Sequence, residues 1–175
     1  MRALVPPEDR IRFERLISEV EQAIWDTESV TADLARLIAI DLTEAPLRPC
    51  VPVELTDVVA SALRGLDPLL SSRSIHIDIE ASPAVFAMGD RERLEHLVAA
   101  ALSIAAFAAR PRTRARLRYG LSDTATAYFH LTPYRPRDPR VTIVEALARS
   151  QQVQLEAVDE TLTMRLPAAV GAASA

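Results

Sequence analysis

Arginines are the residues of this chain best placed to do chemistry. The run Arg110-Pro111-Arg112-Thr113-Arg114-Ala115-Arg116-Leu117-Arg118 alternates basic and apolar side chains. On a β-strand, alternate residues share a face, so Arg114, Arg116 and Arg118 would form a basic ridge with Ala115, Leu117 and Tyr119 behind it. Arg135, Arg137 and Arg140 follow the next strand-like segment, and the two groups can lie close. A ridge of this kind is either a solvated sheet face offset by acids or a docking surface for an anion, such as an acidic protein pocket or a nucleic-acid phosphate. The other reactive side chains are sparse. His76, His96 and His130 show no metal-ligand spacing, and no Ser–His–Asp set or phosphate-binding loop can be assembled. No metal site is expected, and no catalytic residue is assigned. Aromatic residues interleaved with the arginines are few (Tyr119, Tyr128, Phe129), which disfavours stacking on single-stranded nucleic acid.

Composition narrows the classes further. The chain has 175 residues, is 49% hydrophobic and 25% charged, and carries a net charge of −4. It can build a core, and it has no general attraction for nucleic acid. All 20 basic residues are arginine, and Cys50 is the single cysteine. An internal disulfide is therefore excluded, and a reducing compartment fits. No run approaches the length of a membrane span, and the first residues lack an apolar signal core. The expected location is the cytoplasm, with no membrane contact.

The elements that must position these residues read in order. From Glu8 to about Leu42 there is no Gly or Pro, and apolar residues recur at Phe13, Leu16, Ile17, Val20, Ile24, Val30, Leu34, Leu37 and Ile38. This heptad-like stripe needs a partner, and it is expected to form a homodimer interface. One long helix of roughly 50 Å, or a helical hairpin broken near Asp26-Thr27-Glu28-Ser29, would carry it. Pro46, Pro49 and Pro52 read as a linker. A helix capped by Thr56 or Asp57 should run to about Leu70. A strand covers 74–80 and a short one 85–88, and a long apolar helix capped by Asp90 ends near Ala109. Strands over 114–119 and 124–131 are expected to turn at Gly120-Leu121-Ser122-Asp123. A helix over 141–150 and a hairpin over 153–158 and 161–166 close the chain. The expectation is an α+β protein with a helical dimerisation region (1–46), a sandwich domain (47–167) with helices on one face of a mixed, mostly antiparallel sheet, and a frayed tail (168–175).

This order, with its local phrases, resembles the core of a bacterial sensor histidine kinase. Leu37-Ile38-Ala39-Ile40-Asp41-Leu42 is similar to the end of the second dimerisation helix. Val53-Glu54-Leu55-Thr56-Asp57-Val58-Val59 is similar to the entry of the ATP-binding domain. Gly89-Asp90 with Leu94, Leu97 and Val98 resembles the helix that bears the Asn motif. Ile143 to Ala148 resembles the helix after the ATP lid, and Thr161 to Pro167 the terminal strand. The resemblance covers about residues 28–167 and implies a histidine-kinase-type ATPase sandwich in two-component signalling. Histidine phosphotransfer proteins with a vestigial ATP domain look similar.

The same resemblance identifies departures. It implies amides ten and fourteen residues after Asp90, where this chain has Ala100 and Ile104. The second amide would ligate Mg²⁺, which needs oxygen donors. The adenine-binding Asp falls at Thr132 or Pro133, and no Gly lies between Gly120 and Gly171 to form the lid. The phospho-accepting His is missing, since no His precedes His76. The expectation is therefore a protein without a bound cofactor and not an enzyme: a non-catalytic, dimeric adaptor or regulator. Its partner would be a response-regulator receiver domain or a histidine kinase, contacted in part through Arg114, Arg116, Arg118, Arg135 and Arg137. The alternatives are a divergent histidine kinase or phosphotransferase retaining weak ATP binding, and a nucleic-acid-associated protein using the arginine ridge.

Overall fold

The computed structural model describes residues 12, 13, 15–17, 20, 23, 24, 27, 50–82, 84–123, 125–138 and 140–169. The chain forms two compact units, Met1–Leu42 and Thr43–Ala175. In the first, the described residues from Arg12 to Thr27 are helical, and the Thr27 hydroxyl donates to the Ala23 carbonyl at 2.8 Å. Phe13, Leu16, Ile17, Val20 and Ile24 are all exposed there. Val30, Leu34, Leu37 and Ile38 of the expected stripe lie outside the described residues.

The second unit is the expected sandwich. A helix α1 (Leu55–Arg73) follows a short strand β1 (Val51–Glu54). Then come β2 (His76–Ala81), β3 (Phe86–Gly89), α2 (Arg91–Ala108), β4 (Arg114–Asp123), β5 (Thr126–Thr132), α3 (Val141–Ser150), β6 (Gln154–Val158) and β7 (Thr161–Pro167). The main sheet runs β2-β4-β5-β7-β6; the β2–β4 pair is parallel and the rest are antiparallel. β1 and β3 form a separate antiparallel pair.

Helix α2 is the centre of the unit. Asp90 caps it by accepting from the Glu92 and Arg93 amides at 3.0 and 3.3 Å, which satisfies two donors that a helix start leaves unpaired. From Ala100 to Ala108 every residue is buried, with no polar face. The small alanines let neighbours approach closely, and Leu94, Leu97, Leu102 and Ile104 fill the gaps between them. Gly89 makes the entry possible. A Cβ there would lie 2.7 Å from Leu94 Cδ1, so a side chain at 89 would push the buried Leu94 side chain from its place.

Three boundaries differ from expectation. The segment read as a Pro-rich linker contains β1, in which Pro52 faces Met88 across a two-stranded edge where a missing N–H is tolerated. Helix α1 begins at Leu55 without a side-chain cap and continues through Pro68 to Arg73, ending at Ser74 in the left-handed conformation. Strand β4 does not turn at Gly120–Asp123 but runs through it, with a register shift between Leu121 and Asp123. Gly120 is a close-approach site: a Cβ would lie 2.7 Å from the Ser82 hydroxyl and 3.0 Å from the Tyr128 hydroxyl.

Replacing Asp90 by Ala should lower stability by about 1 kcal/mol, seen as a fall in the thermal midpoint, whereas Asp90→Asn should keep most of it. An unchanged midpoint for Asp90→Ala would show that the cap is dispensable.

Candidate functional site

Two regions gather the residues singled out by sequence, one in the helical layer and one on the open face of the sheet.

In the helical layer, Ala100 and Ile104 both face the core: Ile104 is 0% exposed and Ala100 6%. Neither side chain carries an oxygen or nitrogen able to meet a magnesium ion. Between them, the Ser103 hydroxyl turns back onto the Ala100 carbonyl at 2.7 Å. His96, one helical turn earlier, is half-buried, and its Nδ1 has no hydrogen-bond partner among the described residues.

The connection from β5 to α3 is short and tied to the end of α2. It leaves β5 through a cis Thr132–Pro133 bond. Pro133 is half-buried. The Tyr134 amide donates to the Glu160 carbonyl at 2.8 Å, and its ring is buried. Burial, with Glu145 and Asp138 adding to it, holds the Tyr134 phenol above its usual pKa, so it stays neutral. Arg135 donates to the Ala108 carbonyl at 3.1 Å, capping an orphan acceptor at the helix end. Arg140 forks onto Asp138 with bonds of 2.8 and 3.1 Å, and both side chains are almost wholly buried. Its guanidinium lies 3.7 Å from the centre of the Phe107 ring, and Arg73 approaches the same ring at 5.2 Å. The Arg140 Nη1 atom is buried without a hydrogen-bond partner among the described residues. Sequence reading noted Arg140 only as added charge. A buried pair two residues apart gives no periodic signal, and nothing local announces that Phe107 will lie beneath it.

On the sheet, Arg114, Arg116 and Arg118 share the exposed face of β4, with Ala115, Leu117 and Tyr119 buried behind them. Acids on β2 flank them. Arg114 meets Asp78 at 2.8 Å, while Arg116 and Arg118 both lie 3.9 Å from Glu80. Such exposed pairs contribute little to stability, but they offset the charge. Arg135 is not part of this ridge, because it is turned toward the end of α2; Arg137 is exposed on the same connection. The two arginine groups are therefore not merged into one surface. His76 lies on the open face of the edge strand β2, 3.6 Å from Asp78. His130 lies on β5, also half-exposed. Among the described residues no three His, Cys, Asp or Glu side chains gather as a metal cluster, and no helix is long and apolar enough to cross a membrane.

No family model and no curated protein sequence matches this chain. Solved structures do. The mycobacterial sensor histidine kinase MprB is 20% identical, with a TM-score of 0.53, over 68% of this chain and 97% of that one. The Acinetobacter baumannii histidine kinase AdeS is 13% identical with a TM-score of 0.59, over 97% of this chain and 88% of that one. Full-length ShkA in complex with AMPPNP is 14% identical with a TM-score of 0.61, over 90% of this chain and 39% of that one. The fold is that of the histidine-kinase ATPase. At these identities the likeness speaks for the fold.

One expectation is overturned. The chain was expected not to be an enzyme, and the structures that share its fold are histidine kinases, which are enzymes. The reason is physical. Exchanging the side chains at 100 and 104 removes two sets of donor atoms, yet it leaves the helix, its Asp90 cap and the supporting strands in place. Missing side-chain donors are not a demonstration of inactivity.

Ile104→Asn would put an amide in place of a wholly buried apolar side chain. It should cost about 2–4 kcal/mol, from lost apolar burial plus an unsatisfied polar group, read by chemical denaturation at unchanged m-value. A loss below about 1 kcal/mol would show that position 104 can reach water or a polar partner.

Proposed function

We propose that this chain acts in two-component signal transduction, as a homodimer that works by contact with a response-regulator receiver domain or a histidine kinase. The observation that carries the reading is a histidine-kinase-type sandwich whose central helix presents Ala100 and Ile104 to the core. These are the positions at which the family resemblance implies amides. On this reading they serve packing, Pro133 stands where the adenine-binding Asp would, and the signalling contacts fall to surfaces. Three regions are assigned: a helical dimerisation region (1–46), the sandwich (47–167) and a short tail (168–175). The exposed stripe of Phe13, Leu16, Ile17, Val20 and Ile24 supports the pairing of two copies, and Val30, Leu34, Leu37 and Ile38 would extend it. Arg114, Arg116 and Arg118 on the sheet, with Arg135 and Arg137 on the helical side, supply the basic side chains for an acidic receiver pocket. The expected location is the cytoplasm.

A second reading, a divergent histidine kinase or phosphotransferase with weak ATP binding, is favoured by the likeness to ShkA in complex with AMPPNP. Use of the ridge on nucleic acid is disfavoured, because the chain's net charge of −4 gives no general attraction for a phosphate backbone.

The test is binding of the purified dimer to purified receiver domains and kinase cytoplasmic segments from the same cell, read by calorimetry. Saturable binding to one of them is expected, weakened about tenfold by Arg114→Glu with Arg116→Glu and by raised salt. No saturable binding to any receiver or kinase, or a complex indifferent to both changes, would contradict the proposal.

A further inference from the structure

We propose that the open face of the sheet carries a phosphate-binding site centred on His130 and clamped by Arg118 and Arg165. The three residues come from three adjacent strands. Arg118 on β4 stands directly opposite His130 on β5, and on β7 Thr163 stands opposite His130 while Arg165 stands opposite Tyr128. On one face of an antiparallel pair, opposed Cβ atoms are about 5 Å apart and diagonal ones about 7–8 Å apart. Both long guanidinium side chains can therefore reach over the imidazole from opposite sides.

The ring between them is held in place. Its Nδ1 lies 2.9 Å from the Thr163 hydroxyl, and it packs on Tyr128 at 4.6 Å between ring centroids. Tyr128 is seated in turn by Gly120 of β4, where a Cβ would come within 3.0 Å of the phenol oxygen. A glycine in mid-strand weakens the strand and marks a close approach. Here the approach is that of the aromatic ring that backs His130. With Nδ1 engaged by Thr163, Nε2 is the ring nitrogen left for a ligand.

The charges are arranged for an anion. Burial, then Arg118, then Arg165, hold the His130 pKa below its usual value, so the free ring is neutral at pH 7. The carboxylates that pair with the two arginines lie one strand further out on each side. Glu80 on β2 is 3.9 Å from Arg118, and Glu156 on β6 is 2.8 Å from Arg165. The two arginines and His130 thus stand on the three central strands, and the carboxylates on the two outer ones. Both arginines are largely open to solvent, at 61% and 45% exposure, so a ligand can enter from above. Two guanidinium forks and an imidazole match the several oxygens of a phosphate group better than the single plane of a carboxylate. The phosphate can be free or carried on a protein, and the chemistry recognised is the same. None of this depends on the signalling partner proposed above.

A bound phosphate adds negative charge beside the imidazole and raises its pKa. For a phosphate of fixed charge, affinity therefore grows as pH falls through the bound-state pKa and levels off below the free-state value; protonation of the phosphate dianion itself works in the opposite direction. The experiment is an NMR titration of the three histidine side chains of the full chain with inorganic phosphate, at fixed ionic strength, with His130 assigned through His130→Gln. The expected result is a saturable shift of the His130 resonances and a rise in its pKa, with His76 and His96 unmoved. Arg118→Ala or Arg165→Ala should weaken binding at least about tenfold, while Arg114→Ala, on the same face but beyond the part of β4 that pairs with β5, should not. Thermal melts confirm that each variant is folded. A parallel titration with phosphoserine separates the two sources: tighter binding than phosphate points to a protein-borne group, equal binding to the free ion. No saturable shift of His130, the same shift with sodium chloride, or unchanged affinity in both arginine variants would overturn the site.

Discussion

Everything in the sandwich depends on helix α2 having no wet side beyond its first turns. A helix buried all round must find apolar partners in every direction, and here α1, α3 and the sheet supply them. Its alanines keep the helix slim, so the neighbouring layers can close to packing distance without voids. Its start is fixed by Gly89, which admits Leu94, and by Asp90, which holds the first amides; the Gln151 side chain adds a 2.9 Å bond to the Asp90 amide. Its end is fixed by Arg135 on the Ala108 carbonyl and by the Arg140–Phe107 stack. The same burial explains the chemistry at positions 100 and 104. A helix that gives those positions to the core gives the core methyl groups, and it cannot also offer side-chain oxygens there.

The order of elements was legible because each carries a local signature. Asp90 ahead of an apolar run announced α2, and the alternation of Arg114 to Tyr119 announced both the strand and which of its faces is open. Ser74 to Glu80 was legible for the same reason, although Ile79 at the far end is exposed and the alternation did not reveal this. Errors arose where tertiary contact overrides local preference. Gly120-Leu121-Ser122-Asp123 has turn composition, yet Gly120 is kept to seat Tyr128 against β4. Pro52 reads as linker, yet it sits on a two-stranded edge where its missing donor is harmless.

The sites were less legible than the fold. The arginine ridge could be read from alternation alone, but its offset by Asp78 and Glu80 required the parallel pairing of β2 with β4, which joins segments almost forty residues apart in sequence. The Asp138–Arg140 fork and the Arg118–His130–Arg165 cluster had no signal at all before the strand order was known. Both are cases in which a polar residue acquires its meaning from the element that packs on it. The two faces of the sheet then divide the work. The helical side is closed by side chains pinned to α2, and the open side presents charge and a fixed imidazole to solvent.

The most direct test of the account is the magnesium dependence of nucleotide binding, measured by calorimetry on the full chain with ATP and ADP, with and without EDTA. With Ala100 and Ile104 in the core, no side chain of α2 at those positions can ligate the ion, so EDTA should not weaken the protein's affinity for ATP or ADP. Saturable binding that disappears with EDTA, accompanied by a rise in stability of about 2.7 kcal/mol at a hundredfold excess over Kd, would contradict it.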